Sequence, residues 1–223
     1  MSEAIGQVLS FGVGVAISPI PIIAVVLMLS TPRARANGPG FLLGWVVGLA
    51  VVGGIVLVAS GAADATDDAE PAAWVAWLKI ALGALSLLFA VRQWRGRPAP
   101  GEDAALPGWM RAIDSFTFGR SAAMGVALSA INPKNLLLTV GAAAAIAGTG
   151  AASGEQAVAL AVFVVIGALG PGIPVGIYFA LGERAREVLE GLKAWMGAHN
   201  AAIMTVLFAV IGAKLLGDGI SAL

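Results

Sequence analysis

Six windows of this 223-residue chain are each apolar for about 20 residues or more, the length an α-helix needs to cross the hydrocarbon core of a bilayer. They cover residues 5–29, 38–60, 72–91, 121–147, 156–182 and 198–217. A chain patterned in this way is expected to be an all-α integral membrane protein, one transmembrane domain over 1–223 with six transmembrane helices. Composition agrees: only 12% of the residues are charged, against roughly 25% in a soluble domain whose surface must face water. The formal net charge is zero, so no nucleic-acid partner is expected. Cysteine is absent and His199 is the single histidine, which leaves no thiolate chemistry and no histidine pair to hold a metal. No nucleophile–base pair or carboxylate pair falls at depth, so neither an enzyme nor a cofactor is expected. The first window lacks a basic region before it and is longer than a signal peptide's apolar core, which predicts that it stays as the first span.

The cations predict the orientation. Arg33 and Arg35 lie between spans 1 and 2, Arg92, Arg95, Arg97, Arg111 and Arg120 between 3 and 4, and Arg184, Arg186 and Lys193 between 5 and 6. The other two connections hold no Lys or Arg; one carries Asp64, Asp67, Asp68 and Glu70, the other only Glu155. The positive-inside rule therefore predicts three cytoplasmic basic loops in a bacterial plasma membrane, with both termini outside. Trp74 and Trp77 fit the outer interface, Trp94 and Trp195 the inner one. Within the linker 92–120, Trp109, Met110, Ile113 and Phe116 could share one helical face and lie along the inner surface. Segment 183–193, with its Glu183/Glu187 and Arg186/Glu190 pairs, reads as a cytoplasmic extension of span 5.

The chain echoes itself. Gly14-Val15-Ala16-Ile17-Ser18-Pro19-Ile20 overlays Gly125-Val126-Ala127-Leu128-Ser129-Ala130-Ile131 with five of seven positions identical, and a proline follows in each copy. The copies open the three-span segments 1–91 and 121–223. Because three is odd, two such halves insert with opposite topology, which predicts an inverted repeat of the kind that builds secondary transporters.

Both copies break near mid-span, at Ser18-Pro19-Ile20-Pro21 and at Asn132-Pro133-Lys134-Asn135. Proline removes a backbone donor and is tolerated as the first residue of a helix, with Ser or Asn as a good cap before it. Each break can therefore start a half-helix whose electropositive amino end lies at the centre of the bilayer, an anion site in waiting. Lys134 lies too deep to reach either surface easily, and no Asp or Glu falls inside any window to pair with it. An anionic group on a substrate would serve, with Ser18, Ser129, Asn132, Asn135 and Thr139 as neutral partners; a lysine bonded to backbone carbonyls at a broken helix is the plain alternative. Pro171 and Pro174 also interrupt a span and are candidates for the wall of the same cavity. Lys79 and Lys214 lie near outer ends and are expected to snorkel. Gly44/Gly48 and Gly172/Gly176 have the small-residue spacing of close helix packing.

These residues carry a resemblance. Ser18-Pro19-Ile20-Pro21, Leu29-Ser30-Thr31-Pro32-Arg33, Gly40-Phe41-Leu42-Leu43-Gly44-Trp45, Ile113-Asp114-Ser115-Phe116 and Asn132-Pro133-Lys134-Asn135 together resemble the peptidoglycolipid- and sulfolipid-addressing proteins of actinobacterial envelopes, within the LysE-type exporter superfamily. The resemblance implies a LysE-like six-helix exporter with broken helices 1 and 4, moving envelope lipids or their precursors. Pro19-Ile20-Pro21 stands where the superfamily's amino-acid exporters have Pro-Gly-Pro, which favours the lipid branch. The expected partners are membrane lipid and an anionic lipid or amphiphile held by Lys134 and the half-helix ends; envelope-lipid synthesis machinery and a homodimer are compatible. Two other functions compete: export of small metabolites such as amino acids, which predicts a closed polar cavity, and a non-transporting scaffold for envelope-lipid synthesis. A lipid substrate predicts a lateral opening between helices.

Overall fold

The computed structural model describes residues 2–64, 73–97 and 108–223. Among them there are helices and turns and no strand. The helices are α1 (Ser2–Ala16), α2 (Pro19–Leu29), α3 (Ala34–Asp64), α4 (Ala73–Arg95), α5 (Phe118–Val126), α6 (Pro133–Ala147), α7 (Ser153–Leu181) and α8 (Ala185–Ile220). The stretches Ala34–Gly61, Ala76–Arg95 and Ser153–Ile220 are long and apolar enough to cross a membrane, as are the bent pairs α1–α2 and α5–α6 if each is one span. Large apolar side chains such as Val58, Ile55, Val165 and Val206 are more than 60% exposed. A helix hydrophobic all round belongs in lipid. The chain is an all-helical membrane protein.

Ser153–Ile220 is 68 residues long, about 100 Å as one rod and more than three times the thickness of the hydrocarbon. It is not one rod. Gly12 faces Ile166 and Gly170 faces Ala16, so α7 runs with α1. Gln7 pairs with Lys214, and Gly14 faces Leu207 and Ile211, so α8 runs against α1. The chain doubles back at Gly182, whose φ of 54° favours glycine. Segment 183–193 thus begins α8 instead of extending the helix before it, with Arg186 bonded to Glu190 at 3.1 Å on its exposed face.

Other contacts give the remaining directions. Gly40 and Gly44 meet Phe118 and Ala122 in parallel register; Gly53 meets Leu160 while Gly38 meets Val175, so α3 runs against α7. Gly83 meets Leu216 and Gly212 meets Leu87, so α4 runs against α8, its most extensive partner. The directions alternate, and one end of the bundle gathers Arg33, Arg35, Arg92, Arg95, Arg97, Arg120, Arg184, Arg186 and Lys193. The acidic residues 67, 68 and 70, and the side chains of Asp64, Trp74, Trp109 and Arg111, lie outside the description.

The linker's apolar face does not lie free on a membrane surface. Gly108–Ser115 is a 3-10 turn, in which residues three apart stack, and Met110, Ile113 and Phe116 are buried in the main core. Asn37 pins the segment by donating to the Phe116 carbonyl at 3.2 Å. At the opposite end Lys214 reaches Asp218 at 2.5 Å and Gln7 at 2.7 Å, and buried Lys79 approaches Gly148. The snorkelling expected of these two lysines becomes, for Lys214, an ion pair on its own helix.

The sequence reading has α7 interrupted at Pro171 and Pro174, yet the helix continues through both. Pro171 has no N–H for the Gly167 carbonyl one turn back. Trp45, fully buried on α3, supplies the donor: its Nε1 reaches the Gly167 carbonyl at 3.1 Å. Trp45→Phe is expected to cost about 0.6–1.7 kcal/mol, the range for an interhelical hydrogen bond in a membrane protein. The penalty should shrink in a Pro171→Ala background, where residue 171 regains the N–H that Gly167 lacks. Thermal unfolding of the four proteins of this cycle checks it; equal penalties in both backgrounds would show that the loss is one of packing alone.

Candidate functional site

The two breaks meet. Residues before proline are pushed to extended backbone, and Ser18 (φ −97°, ψ 105°) and Asn132 (φ −59°, ψ 122°) both comply. The chain bends by 52° between α1 and α2 and by 62° between α5 and α6. The amino ends of α2 and α6 adjoin one cavity of about 20 Å³, lined by Ser18, Pro19, Ile20, Pro21, Asn132, Lys134, Asn135 and Met204.

Lys134 joins them. It is 6% exposed, and its Nζ donates to the Gly14 carbonyl at 2.8 Å and to Ser18 Oγ at 2.6 Å. Ser18 Oγ donates onward to Asn135 Oδ1 at 2.9 Å, and Asn135 Nδ2 donates to the Leu128 carbonyl at 2.8 Å. Each link has a backbone cause. Helix α1 stops at Ala16, so its last carbonyls lack their usual partners; Lys134 takes one, and its charge suits the negative end of that helix. Residues 127–131 form a π turn in which the Asn132 N–H bonds the Ala127 carbonyl. That shift strands the Leu128 carbonyl, and Asn135 serves it. Broken helices persist in a membrane because side chains satisfy the freed backbone groups in this way.

The expected caps divide. Asn132 caps α6 by accepting the Lys134 N–H at 3.0 Å, whereas the Ser18 hydroxyl caps nothing and serves the lysine network instead. Two of the first three residues of α2, Pro19 and Pro21, carry no N–H, so its amino end offers fewer donors than an ordinary helix.

Ser18, Pro19, Pro21, Asn132, Lys134 and Asn135 come together as the sequence implied, and Pro133 opens α6 beside them. Thr139 stands one turn behind, bonding the Asn135 carbonyl at 2.8 Å. Three candidates fall elsewhere. Ser129 turns away, bonding Val126 of its own helix and abutting Gly48 of α3. Pro171 and Pro174 are buried in α7 and line neither this cavity nor the groove described next. Met204, on α8, was not foreseen; an apolar residue on a helix apolar all round gives no local sign of facing a break on another helix.

A second, larger opening lies on the flank of the bundle. It is a groove of about 760 Å³ between α1 and α8, lined mainly by apolar side chains, with Ser10 and His199 its polar members. His199, inside α8, stands at the basic end of the groove, its ring 4.8 Å from that of Trp195. Gly14 belongs to both sites: it lines the groove, and its carbonyl receives Lys134. Among the described residues no group of three or more His, Asp or Glu is arranged to hold a metal.

No curated protein and no solved structure matches the chain. A family model does, over residues 8–221, nearly the whole length. Its description is Sap, sulfolipid-1-addressing protein, and it spans both broken helices, the Lys134 network and the groove. The chain belongs to the sulfolipid-1-addressing protein family.

Proposed function

We propose that this protein is a bacterial plasma-membrane exporter or flippase for an anionic envelope lipid or amphiphile. The observation that carries the reading is Lys134, a buried lysine at the meeting point of two broken helices. A lysine at such depth is costly, and a substrate anion would repay it in one state of a transport cycle. The cavity beside it, about 20 Å³, has room for about one water molecule. The described conformation is thus an occluded one, with Lys134 parked on Gly14 and Ser18 until a head group replaces them. A groove open to the flank favours a lipid over a small metabolite, which would need an enclosed polar cavity. The family's description points the same way.

In this reading the bent pairs α1–α2 and α5–α6 each cross once, as do α3, α4, α7 and α8, giving six crossings. The basic end lies in the cytoplasm and both termini outside. The two halves form an inverted repeat that rocks about the central site. Paired contacts support it: Gly53–Leu160 with Gly38–Val175, Gly83–Leu216 with Gly212–Leu87, and Gly125 on the Phe41 carbonyl with Gly12 on that of Phe163. By these contacts Gly12, not Gly14, is the counterpart of Gly125, and once the extra residue of the π turn at Ala127–Ile131 is allowed for, Ser18-Pro19 is that of Asn132-Pro133. The register differs from that of the sequence echo because helix packing, not residue identity, sets it.

Native mass spectrometry of the purified protein tests the substrate class. An acidic lipid is expected to remain bound through detergent exchange. A protein that carries no acidic lipid but binds amino acids would move the reading to metabolite export, and one that binds neither would favour a scaffold for envelope-lipid synthesis.

A further inference from the structure

The α1–α8 groove has features that a general lipid-facing surface lacks. Its walls are apolar, with Val13 and Ile17 on one side and Val206 and Val210 on the other. It ends toward the basic pole of the bundle at the stacked Trp195–His199 pair. Aromatic rings of this kind settle at head-group level, and Lys193, Arg186 and Arg184 follow at the same end. An amphiphile with a negative head and an apolar chain matches this order of groups along the groove.

The groove and the Lys134 site are separated by very little. Gly14 has no side chain, and a Cβ there would approach Ile211 to 2.8 Å, Leu207 to 3.0 Å and Leu138 to 3.2 Å. The wall between an occupant of the groove and the lysine is therefore one glycine backbone, held by the bond from Lys134 to its carbonyl. In the head-group reading, a substrate anion that draws Lys134 away would release that backbone and join groove to cavity.

We infer that the α1–α8 groove is a lateral binding site for one alkyl chain of an anionic amphiphile drawn from the surrounding leaflet, with Gly14 as the partition between that chain and Lys134. The inference rests on the head-group reading for the second step but not for the first, since α1 and α8 alone form the groove.

The test uses the full-length protein in detergent and phosphatidic acid carrying a diazirine at mid-chain. After photolysis, labelled residues are mapped by mass spectrometry. Labelling is expected at Val13, Val206 and Val210, several-fold above Val165 and Ile173, which are 63% and 54% exposed on α7. Val206→Trp fills the groove from a position 63% exposed and should lower its labelling about tenfold; Val13→Trp, from the opposite wall, should do the same. Diacylglycerol with the same label should react less. Even labelling of groove and α7, labelling unchanged in both tryptophan variants, or equal labelling by diacylglycerol overturns the proposal. Lys134→Met separates the two readings: groove labelling that survives it upholds the chain site even where the head-group site fails.

Discussion

Lys134→Met, reconstituted into vesicles, is expected to lose translocation of a fluorescent anionic lipid by about 100-fold or more. Truncating one partner of a buried charge pair typically costs 2–5 kcal/mol, and each 1.4 kcal/mol is a factor of ten. Methionine keeps the unbranched stem as far as Cε while removing the amino group, which in the described conformation holds Gly14 and Ser18. The two lost hydrogen bonds should lower stability by about 0.6–1.7 kcal/mol each, so folding is checked by thermal unfolding beside transport. Lys134→Arg keeps the charge but must fit a larger planar group beside a cavity of about 20 Å³, and an intermediate rate is expected. The decisive comparison is between lipids. A lysine that only braces the breaks would lower transport of anionic and zwitterionic lipids alike in step with stability; a lysine that binds the head group makes the loss selective for anions. Full activity in Lys134→Met would remove it as the anchor.

The largest effect on folding is expected from one methyl group. A Cβ at Gly44 would lie 1.9 Å from the Ala122 carbonyl oxygen and 2.7 Å from its carbon. Both sides of that contact are backbone, so no side chain can turn aside, and α3 and α5 must move apart. Without a hydrophobic force between helices in lipid, close backbone packing is a main source of association. Gly44→Ala should therefore destabilise by about 4 kcal/mol or more, beyond the ordinary range for point changes. Gly176→Ala is the control: nothing lies within 4 Å of a Cβ there, and alanine's better helix propensity is worth up to about 1 kcal/mol in its favour. Thermal unfolding and monodispersity of the two variants decide it; equal behaviour would mean that the α3–α5 contact is looser than described.

Those two glycines show what could be read in advance. Gly44/Gly48 and Gly172/Gly176 have the same spacing, but only the first pair packs tightly; a Cβ at Gly172 would find only Leu42, at 3.8 Å. Spacing identifies a face that could pack, and the fold decides whether a neighbour occupies it. The same holds for Ser129. It is polar and sits one turn before a break, as a site residue would, but the π turn at Ala127–Ile131 places it against Gly48. The interruption expected at Pro171 failed for the complementary reason: Trp45, more than 120 positions away, repairs the missing hydrogen bond.

By itself the sequence determined the class of protein, the basic loops and the two helix breaks with Lys134 beside one of them. These follow from local rules: the length of an apolar run, the missing N–H of proline, the cost of a charge at depth. Only the tertiary structure decided what Lys134 bonds to, which prolines stay outside the site, that the last stretch doubles back at Gly182, and that a groove opens between α1 and α8. Helices apolar on nearly every side do not declare which face will meet another helix. Their rotation and register are set by backbone contacts between residues far apart in the chain, and those contacts bring the two breaks together.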